Sequence, residues 1–242
     1  MKKLVNLISG KVREHQEKQQ LSSRIPWSKE ALWLGSYSVF NLLLLGFRVW
    51  FTAWPTYLFL SWNLFLAFIP YALSSFAIRF WPFKKYWPII ISLLVLWLLF
   101  FPNAPYILTD FIHLKQRLGI PLWFDALLLT SFSLNGLLFG FLSMMHVHAY
   151  IDSHRRNRLV GWLVIVTSLL LSSFGIYLGR FLRWNSWDVF SEPKVFVVEV
   201  LRTVFTGDLQ TETLSVTLAF FLFMIFHYVL FRALLKGSEP RN

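Results

Sequence analysis

The stretch FPNAPYILTDFIH, residues 101–113, decides how the rest of this chain is read. It closes a long apolar run. Pro102 and Pro105 interrupt the helical pattern, and the residues before them, Phe101 and Ala104, are expected to turn away from helical geometry. Asn103 tolerates the left-handed conformation a reversal needs and can also cap a following helix. A short helix starting there places Tyr106, Thr109, Asp110 and His113 at i, i+3, i+4 and i+7, on one face. Ile107, Leu108, Phe111 and Ile112 fall mostly on the other. The stretch either ends a span or re-enters the membrane, and it offers a polar stripe with an acid and an imidazole at the membrane rim.

Composition sets the class. The chain is 56% hydrophobic and 19% aromatic, with 14% charged residues, which points to an integral membrane protein rather than a soluble domain. A net charge of +11 would suit nucleic acid, but so much apolar surface argues against that partner and for basic loops on one side of a lipid bilayer. There is no cysteine, hence no disulfide framework, thiolate nucleophile or thiolate metal site.

Six stretches are long and apolar enough to span a bilayer: about 31–51, 56–79, 86–102, 123–147, 159–180 and 213–235. The expected fold is therefore all-α, a polytopic integral membrane bundle of about six transmembrane helices with short outer amphipathic helices. Residues 1–30 read as a basic cytoplasmic tail, partly helical, with anionic lipid as one candidate contact. Residues 31–236 form the transmembrane domain and 237–242 a C-terminal tail. With both termini cytoplasmic, sixteen of the 23 Lys and Arg residues fall inside and seven outside, as the positive-inside bias requires of a multi-pass plasma-membrane protein. Tryptophans cluster at the span ends, as interfacial rings should.

Gly136 and Gly140 form one GxxxG, and Gly175 and Gly179 another. Small residues at this spacing let helices approach closely, either within the bundle or in a homo-oligomer. Residues 191–206 read as an amphipathic helix, flat on the outer surface or packed over the bundle mouth. Asn41, Asn63, Asn135 and His227 are expected to hydrogen bond between helices, and Arg48 to snorkel to the outer interface.

Polar chemistry gathers in the outer loops. Asn103, Tyr106, Thr109, Asp110 and His113 come from the third-to-fourth connection, and Asp125 from the mouth of the fourth helix. GRFLRWNSWD, at the end of the fifth, supplies Arg180, Arg183, Asn185, Trp187 and Asp188. Arg180 and Arg183, at i and i+3, can make a fork for phosphate or carboxylate. Each feature also has a structural reading: Asn185 with Asp188 as a capping box, and Asp110 and Asp125 as partners neutralising Arg180 and Arg183. One imidazole with scattered carboxylates does not make a metal site, and no cofactor motif is present.

The segments FPNAPYILTDFIHL, WFDALLL and GIYLGRFLRWNSWDVF resemble a bacterial family of multi-pass membrane proteins known only as a domain of unknown function, over about residues 85–235. The resemblance implies membership of an integral membrane family and brings no substrate, cofactor or residue role. Three functions are weighed. The first is an outer-face pocket for an anionic or sugar-bearing ligand, with a lipid-linked form among the candidates. In its catalytic version Asp110 and His113 act as an acid–base pair, and Arg180 and Arg183 hold phosphate. The second is a transporter or channel, for which the spans offer few ionisable groups. The third is a non-catalytic scaffold or assembly factor. Residue types and spacing alone do not establish a reaction.

Overall fold

A computed structural model describes residues 27–80, 87–117, 119–154, 158–205 and 207–237. Most of the basic head and the charges at Lys84, Lys85, Arg155 and Arg156 lie outside the described residues. The long helices are α1 (Trp27–Thr52), α2 (Phe59–Phe80), α3 (Trp87–Phe100), α5 (Leu122–His154), α6 (Arg158–Phe181) and α9 (Gly207–Gly237). The short ones are α4 (Asn103–Tyr106), which runs into a 3-10 turn at Ile107–His113, then α7 (Asp188–Ser191) and α8 (Pro193–Phe205). Among the described residues there is no strand, only an isolated bridge between Arg117 and Ile120. Six helical segments are long and apolar enough to cross a membrane, so the all-α multi-pass bundle expected from sequence is the fold.

The arrangement follows from which helix is apolar all round. α5 has 33 residues, about 50 Å at 1.5 Å per residue, and 78% of its most apolar window is buried. It is the central post. α1 and α2 pack on one side of it and α6 on another, α3 leans on α2, and α9 leans on α6. One core joins Leu60, Leu64 and Tyr71 of α2 to Leu128, Leu129 and Phe132 of α5. A second joins Trp97 and Phe101 to Met144, Ile165, Leu169 and Tyr228.

Several polar side chains within the spans bond across helices, where lipid offers no partner to satisfy them. Asn41 and Ser131 bond to each other, and Asn135 Nδ2 donates to Ser38 Oγ at 2.9 Å, tying α1 to α5. His146 meets Ser74 of α2 at 3.0 Å. His227 departs from expectation: its Nδ1 pairs with the Phe223 carbonyl of its own helix at 2.8 Å, one turn back, and among the described residues it makes no hydrogen bond to another helix.

The 101–113 stretch also departs from its sequence reading. Ala104 is helical although it precedes Pro105. Pro105 lies in the first turn of α4, where a missing N–H costs no intrahelical bond. Asn103 is not the cap of α4; Pro102 holds that position, in right-handed geometry, with no side-chain cap. Asn103 instead donates its amide to the Phe100 carbonyl at 2.9 Å, covering the open C-terminal end of α3. Phe101, Ala104 and Ile107 are fully buried.

Both GxxxG pairs serve this stretch. A Cβ on Gly136 would sit 2.8 Å from the Ala104 carbonyl oxygen, and one on Gly140 3.0 Å from the Ala104 methyl. From the other side, a Cβ on Gly175 would sit 2.8 Å from Pro102, and one on Gly179 3.1 Å from the Tyr106 ring. The missing side chains on α5 and α6 let the proline-broken segment sink between the two helices.

Candidate functional site

α6 ends at Phe181, and Arg180 in its last turn places a cation at the negative end of the helix dipole. Arg180 is the hub of a cluster. Its Nε donates to Thr109 Oγ1 at 2.7 Å and one terminal nitrogen to Asp110 Oδ1. The other lies 3.4 Å from His113 Nε2, and the guanidinium carbon stacks 4.5 Å from the Tyr106 ring centre. The residues placed on one face by sequence therefore all meet one arginine. Tyr106 does so from the last position of α4, and Thr109, Asp110 and His113 from the 3-10 turn that follows, a geometry in which side chains three apart line up. Asn63 of α2 donates to the second Asp110 oxygen at 2.7 Å. Both carboxylate oxygens are thus satisfied on a side chain that is 1% exposed.

Arg180 stands between Asp110 and His113, which make no hydrogen bond to each other among the described residues. His113 is exposed and packs its ring edge against Phe59 at 5.0 Å. A direct acid–base pair of Asp110 with His113 is not what this geometry provides.

Asp125 does not pair with Arg180 or Arg183. It takes a two-point ion pair from Arg48 of α1, at 2.9 and 3.2 Å, with both side chains 1% exposed. Arg48 does not snorkel. It lies 4.6 Å from the centre of the Tyr57 ring, and Tyr57 donates to the His113 carbonyl at 3.1 Å, linking the two arginine clusters. Burial pushes the Tyr57 hydroxyl above the usual tyrosine range, and the guanidinium of Arg117, 5.7 Å from the ring centre, pulls against it.

Arg183 makes no fork with Arg180. Its φ of 59° is left-handed, and the Trp184 N–H bonds back to the Leu178 carbonyl at 3.1 Å. This bond reaches back six residues, one further than the six-to-one bond of a Schellman motif, and closes the helix end around an arginine in the left-handed position where glycine is usual. Arg183 is exposed and without an ion pair among the described residues. Asn185 and Asp188 make half of the expected capping box. The Asp188 carboxylate accepts from the Asn185 N–H at 2.6 Å, but the Asn185 amide also donates to it at 3.0 Å instead of accepting from the helix.

Beside the Asp110–Arg180 cluster lies a cavity of about 480 Å³ between α2, α3, α6 and the α7–α8 segment, a size common to small-molecule sites. Its end near the cluster is polar, with Asn63, Asn103, Tyr106, Asn185 and Ser186, and carries the rings of Trp62 and Trp184. Asn103 donates to Ser186 Oγ at 3.0 Å, and Ser186 in turn donates to the Leu99 carbonyl at 3.0 Å. Deeper, the walls are Val95, Leu98, Leu171 and Phe174. Trp187 stays outside the lining and meets Trp62 edge to face at 6.5 Å. Among the described residues no three His, Asp or Glu side chains group to hold a metal ion.

Sequence reasoning missed Asn63 as the partner of Asp110, and Trp62, Trp184 and Ser186 as cavity lining. Asn63 carried a signal: it is a strongly polar side chain one turn inside an apolar span, at the end nearest Asp110. Arg48 carried a similar one, as an arginine inside a span that needs a counter-charge.

A second polar cluster closes the opposite end. Arg232 of α9 lies 2.9 Å from His148 and 3.4 Å from Asp152 of α5, and 5.0 Å from the Trp162 ring centre of α6. Tyr228 and His148 are 2.8 Å apart.

The chain belongs to the family described as Protein of unknown function (DUF1361), whose match spans residues 62–227. The match begins inside α2, earlier than the resemblance read from the motifs, and includes the Asp110–Arg180 cluster and the whole cavity lining but not Arg48. No curated protein and no solved structure matches the chain.

Proposed function

We propose that this is a cell-membrane protein with both termini in the cytoplasm, whose outward-facing pocket binds a sugar-bearing molecule through its uncharged polar end. The observation that carries the reading is the make-up of that end. Asn63, Asn103, Tyr106, Asn185 and Ser186 converge beside Trp62 and Trp184, while the nearby charges of Asp110 and Arg180 are consumed by each other. Carboxamides and hydroxyls donate and accept toward hydroxyl groups, and indole rings offer a flat apolar face. A free anion would instead need an unneutralised cation in the lining, and Arg180 already has a carboxylate, a hydroxyl and a ring around it. The basic bias of the opposite side supports the orientation.

Tryptophan fluorescence tests the reading, because Trp62 and Trp184 line the cavity. In a sugar-free detergent, octyl glucoside is expected to change the emission saturably and octyl phosphate to do so much more weakly. Tyr106→Phe keeps the ring over Arg180 and removes a hydroxyl that bonds to nothing among the described residues. It should weaken octyl glucoside binding about threefold to tenfold, the worth of one neutral hydrogen bond. Preference for octyl phosphate over the glucoside would overturn the reading.

A further inference from the structure

We infer, resting on that reading, that the ligand is a membrane lipid whose hydrocarbon chain enters the cavity sideways between α3 and α6, leaving the sugar under the polar end. On α6 the lining runs from Leu171 to Gly179, about 12 Å of helix rise. The cavity therefore reaches from the end of the bundle toward the middle of the bilayer. At that depth two of its wall residues are also surface residues: Val95 of α3 is 62% exposed and Leu171 of α6 is 48% exposed. Both lie near the middle of apolar spans, so what touches them is hydrocarbon, and the cavity opens there to lipid rather than to water.

The elements around the opening keep it so. α3 leans on α2 and α6 leans on α9, which holds the two helices apart on either side of the cavity. Phe196 and Val200 of α8 close the top. The next face of α8, carrying Val197, Leu201 and Phe205, is exposed and apolar, as on a helix lying in the membrane interface. Glu199 and Arg202 occupy the remaining face. A water-soluble sugar would have to pass that cover, whereas a lipid already in the leaflet needs only to move sideways. The chain gains little hydrophobic free energy by leaving lipid for an apolar slot. Its contribution is to deliver and orient the head.

The experiment compares octyl glucoside, methyl glucoside and octanol by tryptophan fluorescence, on wild type, Leu171→Trp and Val95→Trp in one sugar-free detergent. Both substitutions sit at exposed positions, so folding is checked by an unchanged melting temperature and either variant can stand in for the other. The inference expects octyl glucoside binding to fall about fivefold or more in the variants with methyl glucoside binding unchanged. The variant is the readout, because the chain also draws the amphiphile into the micelle. Equal binding of octyl glucoside to wild type and both variants overturns the sideways slot and leaves the sugar pocket standing. Octanol binding as well as octyl glucoside, with the variants weakening both, keeps the slot and overturns the sugar reading.

Discussion

Arg180 is held on four sides, and each side constrains what can replace it. Arg180→Ala leaves Asp110 buried with only Asn63 as donor, and an uncompensated buried charge costs about 3–5 kcal/mol. The melting temperature in detergent should fall sharply. Arg180→Lys should recover only part of the loss, since an ammonium cannot reach Thr109, Asp110 and His113 in one plane while stacking on Tyr106. Full recovery by lysine would show that charge alone matters there. The Arg48–Asp125 pair gives a complementary case, because it touches none of the cavity lining. Arg48→Met alone should destabilise by a similar amount, whereas Arg48→Met with Asp125→Leu removes both buried charges and should recover most of the stability. A double variant no better than the single one would mean that the contacts of Arg48 with Tyr57 and the Trp54 carbonyl outweigh the ion pair.

Among the elements, the proline-broken segment and the two glycine-bearing helices behave as one unit. Gly136→Ala and Gly175→Ala each place a methyl within 2.8 Å of an atom of that segment, and overpacking of this kind costs about 1–3 kcal/mol. At Gly46, on α1, nothing lies within 4 Å of the added Cβ. Gly46→Ala should therefore be neutral or stabilise by up to about 1 kcal/mol through helix propensity. Thermal unfolding of the three variants checks the order. If Gly136→Ala melts with Gly46→Ala, the segment is not clasped as described. The spacing of these glycines was legible in the sequence, but their partner was not. GxxxG says that something approaches closely, and helix–helix packing is the usual occupant. Here a short proline-broken helical segment fills the groove, a long-range fact that local spacing does not carry. The polar stripe was legible for the same local reason that the glycine partner was hidden. Tyr106, Thr109, Asp110 and His113 are neighbours along the chain, and either helical period keeps them together. The pairing of Asp125 with Arg48 joins residues 77 positions apart, where sequence offers only the rule that each buried charge must find an opposite one.

For the whole molecule, the two ends of the bundle carry different chemistry. One end holds the Arg48–Asp125 pair and, beside the cavity, Arg180 with Asp110. The other holds the Arg232, His148 and Asp152 cluster, which joins α9 to the central helix where few other contacts do. Six spans were readable from hydropathy because lipid imposes length and apolarity on each helix separately. The proposed orientation rests on a different quantity, the distribution of Lys and Arg, and it can be measured without disturbing the fold. The chain has no cysteine, so a single introduced one is the sole thiol. Lys115 is exposed at the cavity end and Arg158 at the start of α6, at the opposite end. Lys115→Cys should react with a membrane-impermeant maleimide on intact cells. Arg158→Cys should react only after permeabilisation. The reverse pattern would place the cavity on the cytoplasmic side, and any sugar it binds would then have to be a molecule of the inner leaflet.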